Sequence, residues 1–278
     1  MTKSLSFAAK SLAFLLASTA VANPIEQLYR EVLEKRDPPR ALGASASDEE
    51  NKWQPSMDFD TDGCYNVPAI DGDGNVSPGM KAWMQYDFAK DCRDESDLDN
   101  NNVYVRSRCN NGWCAYLYAY YFEKDVGSPG VIGPAGGHTH DWEHVAVFVK
   151  DNEGAQVVAV SQHSDYETRA SVDARWDQDT HVKVVYHKDG GSTHAFRFAN
   201  EADDGIENHK GVWFRGALVG WNGFPSVEIR DKLVNYDFGS ASLAIKDNTF
   251  KPNLDKARDS SEDGSNNMVP GFDSGFDQ

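Results

Sequence analysis

Apolar and polar positions alternate along several short stretches of this chain. Val103 to Ser107 alternates with a period of two, and Ala115 to Phe122 is a tyrosine-dense run; both read as strands. His144 to Val149, Ala155 to Ser161, His181 to His187, His194 to Phe198, Val212 to Val219 and Leu243 to Ile245 read the same way. Turn-forming residues separate them, the pattern of a sandwich of short strands. The tyrosine run is expected to be a central strand with its phenols bonded at the rim, rather than an exposed aromatic platform. Four helices are predicted. Ile25 to Lys35 has apolar residues at 25, 28, 32 and 33 and is stopped by Asp37-Pro38-Pro39. Pro78 precedes a second over Lys81 to Lys90, Ser226 caps a third reaching Asn235, and Asn253 to Arg258 makes a fourth. Asp91 to Asn102 is acidic and Asn-rich and reads as a surface loop. The fold class expected is mainly β, a central β-sandwich with flanking helices; strand order is not readable.

The ends of the chain differ from its middle. Ser11 to Ala22 is a short apolar run behind Lys3 and Lys10 and closes on Ala20-Val21-Ala22. That is the pattern of a signal peptide over residues 1–22, too short for a retained spanning helix, and no later stretch is long and apolar enough to span. Secretion is therefore expected. Residues 23–50 read as a leader and linker, with Lys35-Arg36 as a dibasic processing site and a small, acidic segment from Ala41 to Glu50. Residues 259–278 are rich in Asp, Ser, Asn and Gly and are expected to form a tail with little order.

Charge narrows the partners. The formal net charge is −17, and it becomes −19 once a leader holding two lysines and no acids is removed. Such a surface excludes nucleic acid as a partner and is repelled by anionic lipid. Membrane engagement then needs a specific head-group site, and a divalent cation held by carboxylates can bridge to an anionic sugar or phosphate. The chain has 4 cysteines, an even number that suits two disulfides in an exported protein. Three connectivities exist; Cys109 and Cys114 are close enough to bridge around Asn110-Asn111-Gly112, which leaves Cys64 with Cys92.

The densest chemistry is Gly136-Gly137-His138-Thr139-His140-Asp141-Trp142-Glu143-His144, read as a loop entering the strand that starts at His144. Asp141 and Glu143, with an acid from a neighbouring loop, could hold Ca²⁺ or Mg²⁺. His138, His140 and His144 could hold Zn²⁺ with an open position, as in a hydrolase. A carboxylate could also pair with a His for acid–base work. Asp58-Phe59-Asp60-Thr61-Asp62-Gly63 begins like a calcium loop, but Ala69 stands where the bidentate Glu belongs. Gly220-Trp221-Asn222-Gly223-Phe224-Pro225 offers Trp221 as a ligand- or membrane-touching aromatic. His163, at the end of a strand, is the scattered His most worth watching.

Residues 137–143 resemble the G-H-R-H-D-W-E heptapeptide of the necrosis- and ethylene-inducing protein-like family, with Thr139 in place of Arg. Cys109-Asn110-Asn111-Gly112-Trp113-Cys114 and the following Tyr116 to Asp125 resemble the family's upstream segment, in the form with two cysteine pairs. Val184 to Gly190 and Phe238 to Ala241 are similar as well, so the resemblance spans residues 51–258 as one domain. It implies an actinoporin- and fungal-lectin-like sandwich, the same disulfide pairing, and a non-enzymatic, secreted cytolysin that induces necrosis and immune responses. It implies a divalent cation, Ca or Mg, on Asp125, Asp141 and Glu143, with His138 and His140 close to the ligand. The implied partners are sphingolipid sugar head groups (glycosylinositol phosphorylceramides) of plant plasma membranes and a plant immune receptor. Thr139 removes a cation from the motif, and the Val126 to Gly136 loop is long. A zinc hydrolase using His138, His140 and His144 and a non-lytic glycan-binding protein are the rival readings.

Overall fold

Alternation along the chain becomes two packed sheets in the computed structural model, which describes residues 38–80, 91–127, 137–190, 193–260 and 265–276. The strands are β1 (Ser56–Phe59), β2 (Asn102–Asn110), β3 (Trp113–Val126), β4 (Gly137–Lys150), β5 (Gly154–Gln162), β6 (Asp165–Ala170), β7 (Trp176–Asp177), β8 (His181–Asp189), β9 (Thr193–Phe198) and β10 (Ala217–Gly220). One sheet has the order β10-β2-β3-β4-β5-β6; the other has β1-β8-β7, with β9 also on β8. Most pairings are antiparallel, but β1 runs parallel to β8 and β10 parallel to β2. Helices α1 (Asp48–Lys52), α2 (Glu95–Asp99), α3 (Val227–Asn235) and α4 (Asp247–Ala257) flank them. The mainly β sandwich with side helices is thus the architecture found.

The tyrosine run is the central strand it was expected to be, because both of its faces are covered. Ala115, Leu117, Ala119 and Tyr121 join the core that also holds Leu233 of α3 and Phe250 and Leu254 of α4. Tyr116, Tyr118, Tyr120 and Phe122 join the core between the sheets, with Val184, Tyr186 and Phe196. A strand buried on both faces reads as a continuous apolar run rather than a clean alternation. The phenols are not uniformly bonded: Tyr118 donates to Glu50 O at 2.7 Å, whereas the buried Tyr120 hydroxyl has no partner among the described residues.

Several elements depart from the pattern. Val212 to Val219 does not form one strand: Phe214 pairs with Met57 in one sheet, and only Ala217–Gly220 joins β2 in the other. The segment crosses between layers, which periodicity does not register. Leu243 to Ile245 is a buried turn, since a short apolar run cannot by itself distinguish strand from core packing. Helix α4 begins before Pro252, not after it; Phe250, Leu254 and Ala257 bury one face and outweigh the interruption. The loop expected over Asp91 to Asn102 contains α2, capped by Asp94 and anchored by buried Leu98. Asp58 is no calcium-loop ligand, because it sits in β1 and accepts from Glu207 N, Asn208 N and Asn208 Nδ2. The expected signal peptide and the helices over Ile25 to Lys35 and Lys81 to Lys90 lie outside the described residues.

Both ends of the domain are tied down more than composition suggested. The linker is fastened by Leu42, which exchanges hydrogen bonds with the Asn102 side chain, and by Ser45 N to Leu218 O at 2.9 Å. Ser47 and Glu50 then form a capping box at α1. The tail buries Val269 and Phe272 in the helix-side core. Asn110 and Trp113 at the β2–β3 turn bond the tail carbonyls of Asp273 and Pro270. Low-complexity composition missed this because two buried apolar residues are enough to dock a short segment.

The disulfides are Cys64–Cys92 and Cys109–Cys114, the latter across directly paired positions of β2 and β3. A peptide map of the oxidised protein should return these two linkages, and Cys64→Ser should cost about 2–5 kcal/mol in urea unfolding. For the tail, Phe272→Ala should destabilise by about 3–5 kcal/mol in the same assay. A loss near zero would show that the tail does not dock.

Candidate functional site

The site arises where one strand outruns its neighbour. β4 is 14 residues long, but β5 pairs with it only up to Val145 opposite Val160. Residues 137–144 therefore have β3 along one edge and, among the described residues, no strand along the other. Unpaired backbone groups at a buried edge must find other partners. Here side chains supply them. His144 N donates to Ser161 Oγ at 2.7 Å, Trp142 N donates to Asp141 Oδ1 at 2.9 Å, and His140 O accepts from His138 Nδ1 at 2.7 Å. The cluster expected in a loop is thus in the strand itself, at its uncovered edge.

His140 sits at φ 62°, a left-handed conformation inside the strand that L residues rarely adopt. Asp141 and Glu143, opposite Phe122 and Tyr120, face the second sheet, while His140 faces the helix side. There His140 Nδ1 meets Tyr121 OH at 2.6 Å, and the ring packs against Tyr236 and Phe238. That corrects its expected role beside a ligand: it is a buried core histidine.

Asp141 Oδ2 accepts from Tyr186 OH at 2.9 Å. Glu143 accepts from the Ser161 hydroxyl. Asp125, at the far end of β3, is fully buried behind His138 and Thr193. Its carboxylate accepts from His194 N at 2.8 Å, His194 Nδ1 at 3.1 Å and Thr193 Oγ1 at 2.6 Å, and it pairs with His138 Nε2 at 3.1 Å. The His194 ring stacks on Tyr186, so the second sheet links the two aspartates. A cleft of about 450 Å³ opens on the uncovered edge, lined by His138, Asp141, Glu143, Ser161 and Thr193 on one side and by Tyr166, Asn253 and Lys256 further out.

Electrostatics divides the three acids. Burial alone would raise Asp125, but hydrogen bonds from His138, His194 and Thr193 and the charge of His138 hold it below the ordinary carboxylate range. The same hydrogen bond raises His138 to about 9, against the opposing effect of burial. Both its ring nitrogens then donate, one to Asp125 and one to His140 O, as an imidazolium requires. Burial pushes Asp141 up to about 7, and the charge of Asp125 adds to this. Glu143 is pushed well above its usual range by burial and then by Asp141. Three carboxylates thus share one imidazolium.

That group of buried oxygen donors suits in type a hard cation, whose binding would displace their protons. Asp141 and Glu143 line the cleft and would hold it. Asp125 does not fit as arranged, since four donors engage its oxygens and His138 stands before it. Among the described residues, no group of three or more His, Cys, Asp or Glu has the arrangement of a metal site. The zinc reading fares worse. His140 faces the helix side, and burial lowers His144 to about 3, leaving it neutral with Nε2 accepting from Ala244 N at 3.1 Å.

The structure therefore gathers Asp125, His138, Asp141 and Glu143, and separates His140 and Trp221. Trp221 is held between Arg106 and Arg230, 4.2 and 4.6 Å from its ring, and does not line the cleft. His163 does line it and bonds Asp189 at 2.9 Å. Sequence reading missed Ser161, Tyr186, Thr193 and His194. Their contribution comes from cross-sheet packing, for which spacing along the chain gives no signal.

Residues 47–257 match the family model described as necrosis inducing protein (NPP1). NLP effector protein 10 of Phytophthora capsici is 30% identical over 201 residues, 71% of this chain and 77% of that protein. Necrosis and ethylene inducing protein 2, from the causal agent of cocoa's witches' broom disease, has a similar crystal structure: TM-score 0.64, 29% identity, covering 78% of this chain and 93% of that one. The protein NLPPya, solved in complex with mannosamine, superposes with TM-score 0.62 at 27% identity, covering 78% of this chain and 95% of that one.

The raised acids and raised His138 give a definite pH dependence. The folded state holds protons on Asp141 and Glu143 that the unfolded chain releases above about pH 4, so stability falls as pH rises from about 4 through about 7. The His138 contribution is full below about pH 6.5 and is lost as pH rises through about 9, in the same direction. Asp125 acts oppositely, its contribution being lost only as pH falls below about 4. In chelator-containing buffer, Tm should fall steadily between pH 4.5 and 8, and Asp141→Asn should flatten that slope. A Tm that rises over the range would contradict the proposed charge state of the cluster.

Proposed function

The chain belongs to the necrosis-inducing protein family, and on that premise we propose that it is a secreted, non-enzymatic effector whose acidic cleft binds a divalent cation and, through it, sugar head groups of plant plasma-membrane sphingolipids. The observation that carries this reading is the pair Asp141 and Glu143, buried at the cleft with no basic side chain among the described residues directly paired to either. An uncompensated buried carboxylate costs several kcal/mol and otherwise takes up a proton. A cation relieves both, and Ca²⁺ or Mg²⁺ keeps positions that sugar hydroxyls can fill. The relative NLPPya, solved with mannosamine and with glucosamine, supports a sugar as the ligand. Asp125 acts by holding His138 as an imidazolium at the cleft mouth.

The chain's overall charge fits recognition of this kind. At −17, the protein gains nothing from a general attraction to anionic lipid, so selectivity rests on the head group. No helix among the described residues is long and apolar enough to cross a membrane. Engagement then begins at the surface, through the cleft.

Calorimetry tests the site. Wild-type protein should bind Ca²⁺ or Mg²⁺ at neutral pH, and Asp141→Asn should weaken this by at least about tenfold, the lower end for removing even an outer partner of a metal. Glucosamine binding should weaken in parallel, and the added cation should raise Tm at pH 7.5 far more than at pH 4.5. Equal cation binding by both proteins would mean that Asp141 only caps the strand edge. Leaf infiltration then separates lytic from non-lytic binding: tissue death with wild type and none with Asp141→Asn supports the effector reading. Intact tissue and intact plant-lipid vesicles, with sugar binding retained, would make the protein a non-lytic lectin.

A further inference from the structure

A second hollow, of about 620 Å³, lies where the chain leaves β10 and shares no lining residue with the acidic cleft. Residues 45–47 and Glu50 form one side, the Gly220 to Gly223 turn another, and Arg106 and Ser107 of β2 complete it. The two sides come together because the turn lacks side chains where they meet. A Cβ on Gly223 would lie 2.5 Å from Ser45 O, and one on Gly220 would lie 3.2 Å from Ala46 Cα.

The charged groups lining this hollow are already engaged. Glu50 Oε2 accepts from Ser47 N and Oγ, both at 2.9 Å, and its Oε1 accepts from Ser107 Oγ at 3.0 Å. Arg106 Nη1 donates to Ile245 O at 2.9 Å and pairs with Asp247 at 2.8 Å. An ion entering here would have to displace the three neutral donors that hold Glu50 or the Asp247 that holds Arg106. What remains is neutral hydrogen-bonding capacity. The Ser45 hydroxyl and the Asn222 amide have no partner among the described residues. The Nε and Nη2 donors of Arg106 have none either, and the Ser107 oxygen, having donated to Glu50, still accepts. Trp221, its ring held by the guanidinium groups of Arg106 and Arg230, supplies a rigid aromatic wall. A few placed donors and acceptors beside an aromatic wall, in a space of this size, make a small-molecule site. Hydroxyl groups, which both donate and accept, match the mixture.

We infer that this hollow is a second binding site, for a neutral, hydroxyl-rich ligand such as a sugar ring. It recognises that ligand without a metal and independently of the acidic cleft. On this inference Trp221 would be a wall of this hollow.

The test is saturation-transfer NMR and calorimetry on the full mature chain with chelator present, using methyl glucoside and glucose 6-phosphate as probes. Methyl glucoside should bind in the millimolar range. Asn222→Ala and Ser45→Ala should each weaken it about five-fold, the effect of losing one hydrogen bond, with Tm unchanged. Asp141→Asn should leave this binding intact, which separates the hollow from the cleft. Glucose 6-phosphate should bind no tighter than the neutral probe. The inference is overturned if methyl glucoside does not bind, or if Asp141→Asn abolishes its binding while both hollow variants bind normally. Preference for the phosphorylated sugar by tenfold or more would overturn the neutral ligand class.

Discussion

The uncovered edge of β4 is the constraint on which the site depends. A strand that continues past its neighbour exposes backbone donors and acceptors, and a protein must pair, cover or hydrate them. Here Asp141, His138 and Ser161 pair them from the side. The residues that keep the strand end ordered are therefore the residues that line the cleft. Because a carboxylate performs this task in a buried place, negative charge accumulates where a ligand can reach it.

The second sheet makes that accumulation tolerable. Tyr186 of β8 bonds Asp141 and stacks on both Phe122 and His194. Thr193 and His194 of β9 then saturate Asp125, and Asp125 fixes the charge of His138. A rigid aromatic layer thus holds the polar network in one geometry. Preorganisation of this kind lowers the ordering cost of binding a ligand. The same layering explains why the chain needs its long central β3: it serves as the floor of one core and the ceiling of the other, and delivers Asp125 at its end.

The two hollows use opposite chemistry on one scaffold. The cleft gathers carboxyl groups with no paired cation, whereas in the hollow beside Trp221 Glu50 is held by neutral donors and Arg106 by Asp247. An acidic surface is not drawn to anionic membranes in bulk, so any selectivity there has to come from local geometry of this kind.

The sequence by itself determined the fold class, the family, the disulfide pairs and the central strand. Those rest on local signals: alternation, turn residues, cysteine spacing, and a heptapeptide whose carboxylates and histidines are contiguous. It also singled out Asp125, His138, Asp141 and Glu143, four residues that the structure brings to one place. Only the tertiary structure decided their neighbours and their state. His138 and His140 are two positions apart, yet one reaches the cleft and the other the helix-side core, because a positive φ at His140 interrupts the strand geometry. Whether a buried acid keeps its charge depends on what the second sheet places against it, and Tyr186, Thr193 and His194 lie 45 to 69 residues away in sequence from the acids they bond. The docked tail and the strand split across two sheets were invisible for the same reason: each depends on a partner surface that no window of the chain contains.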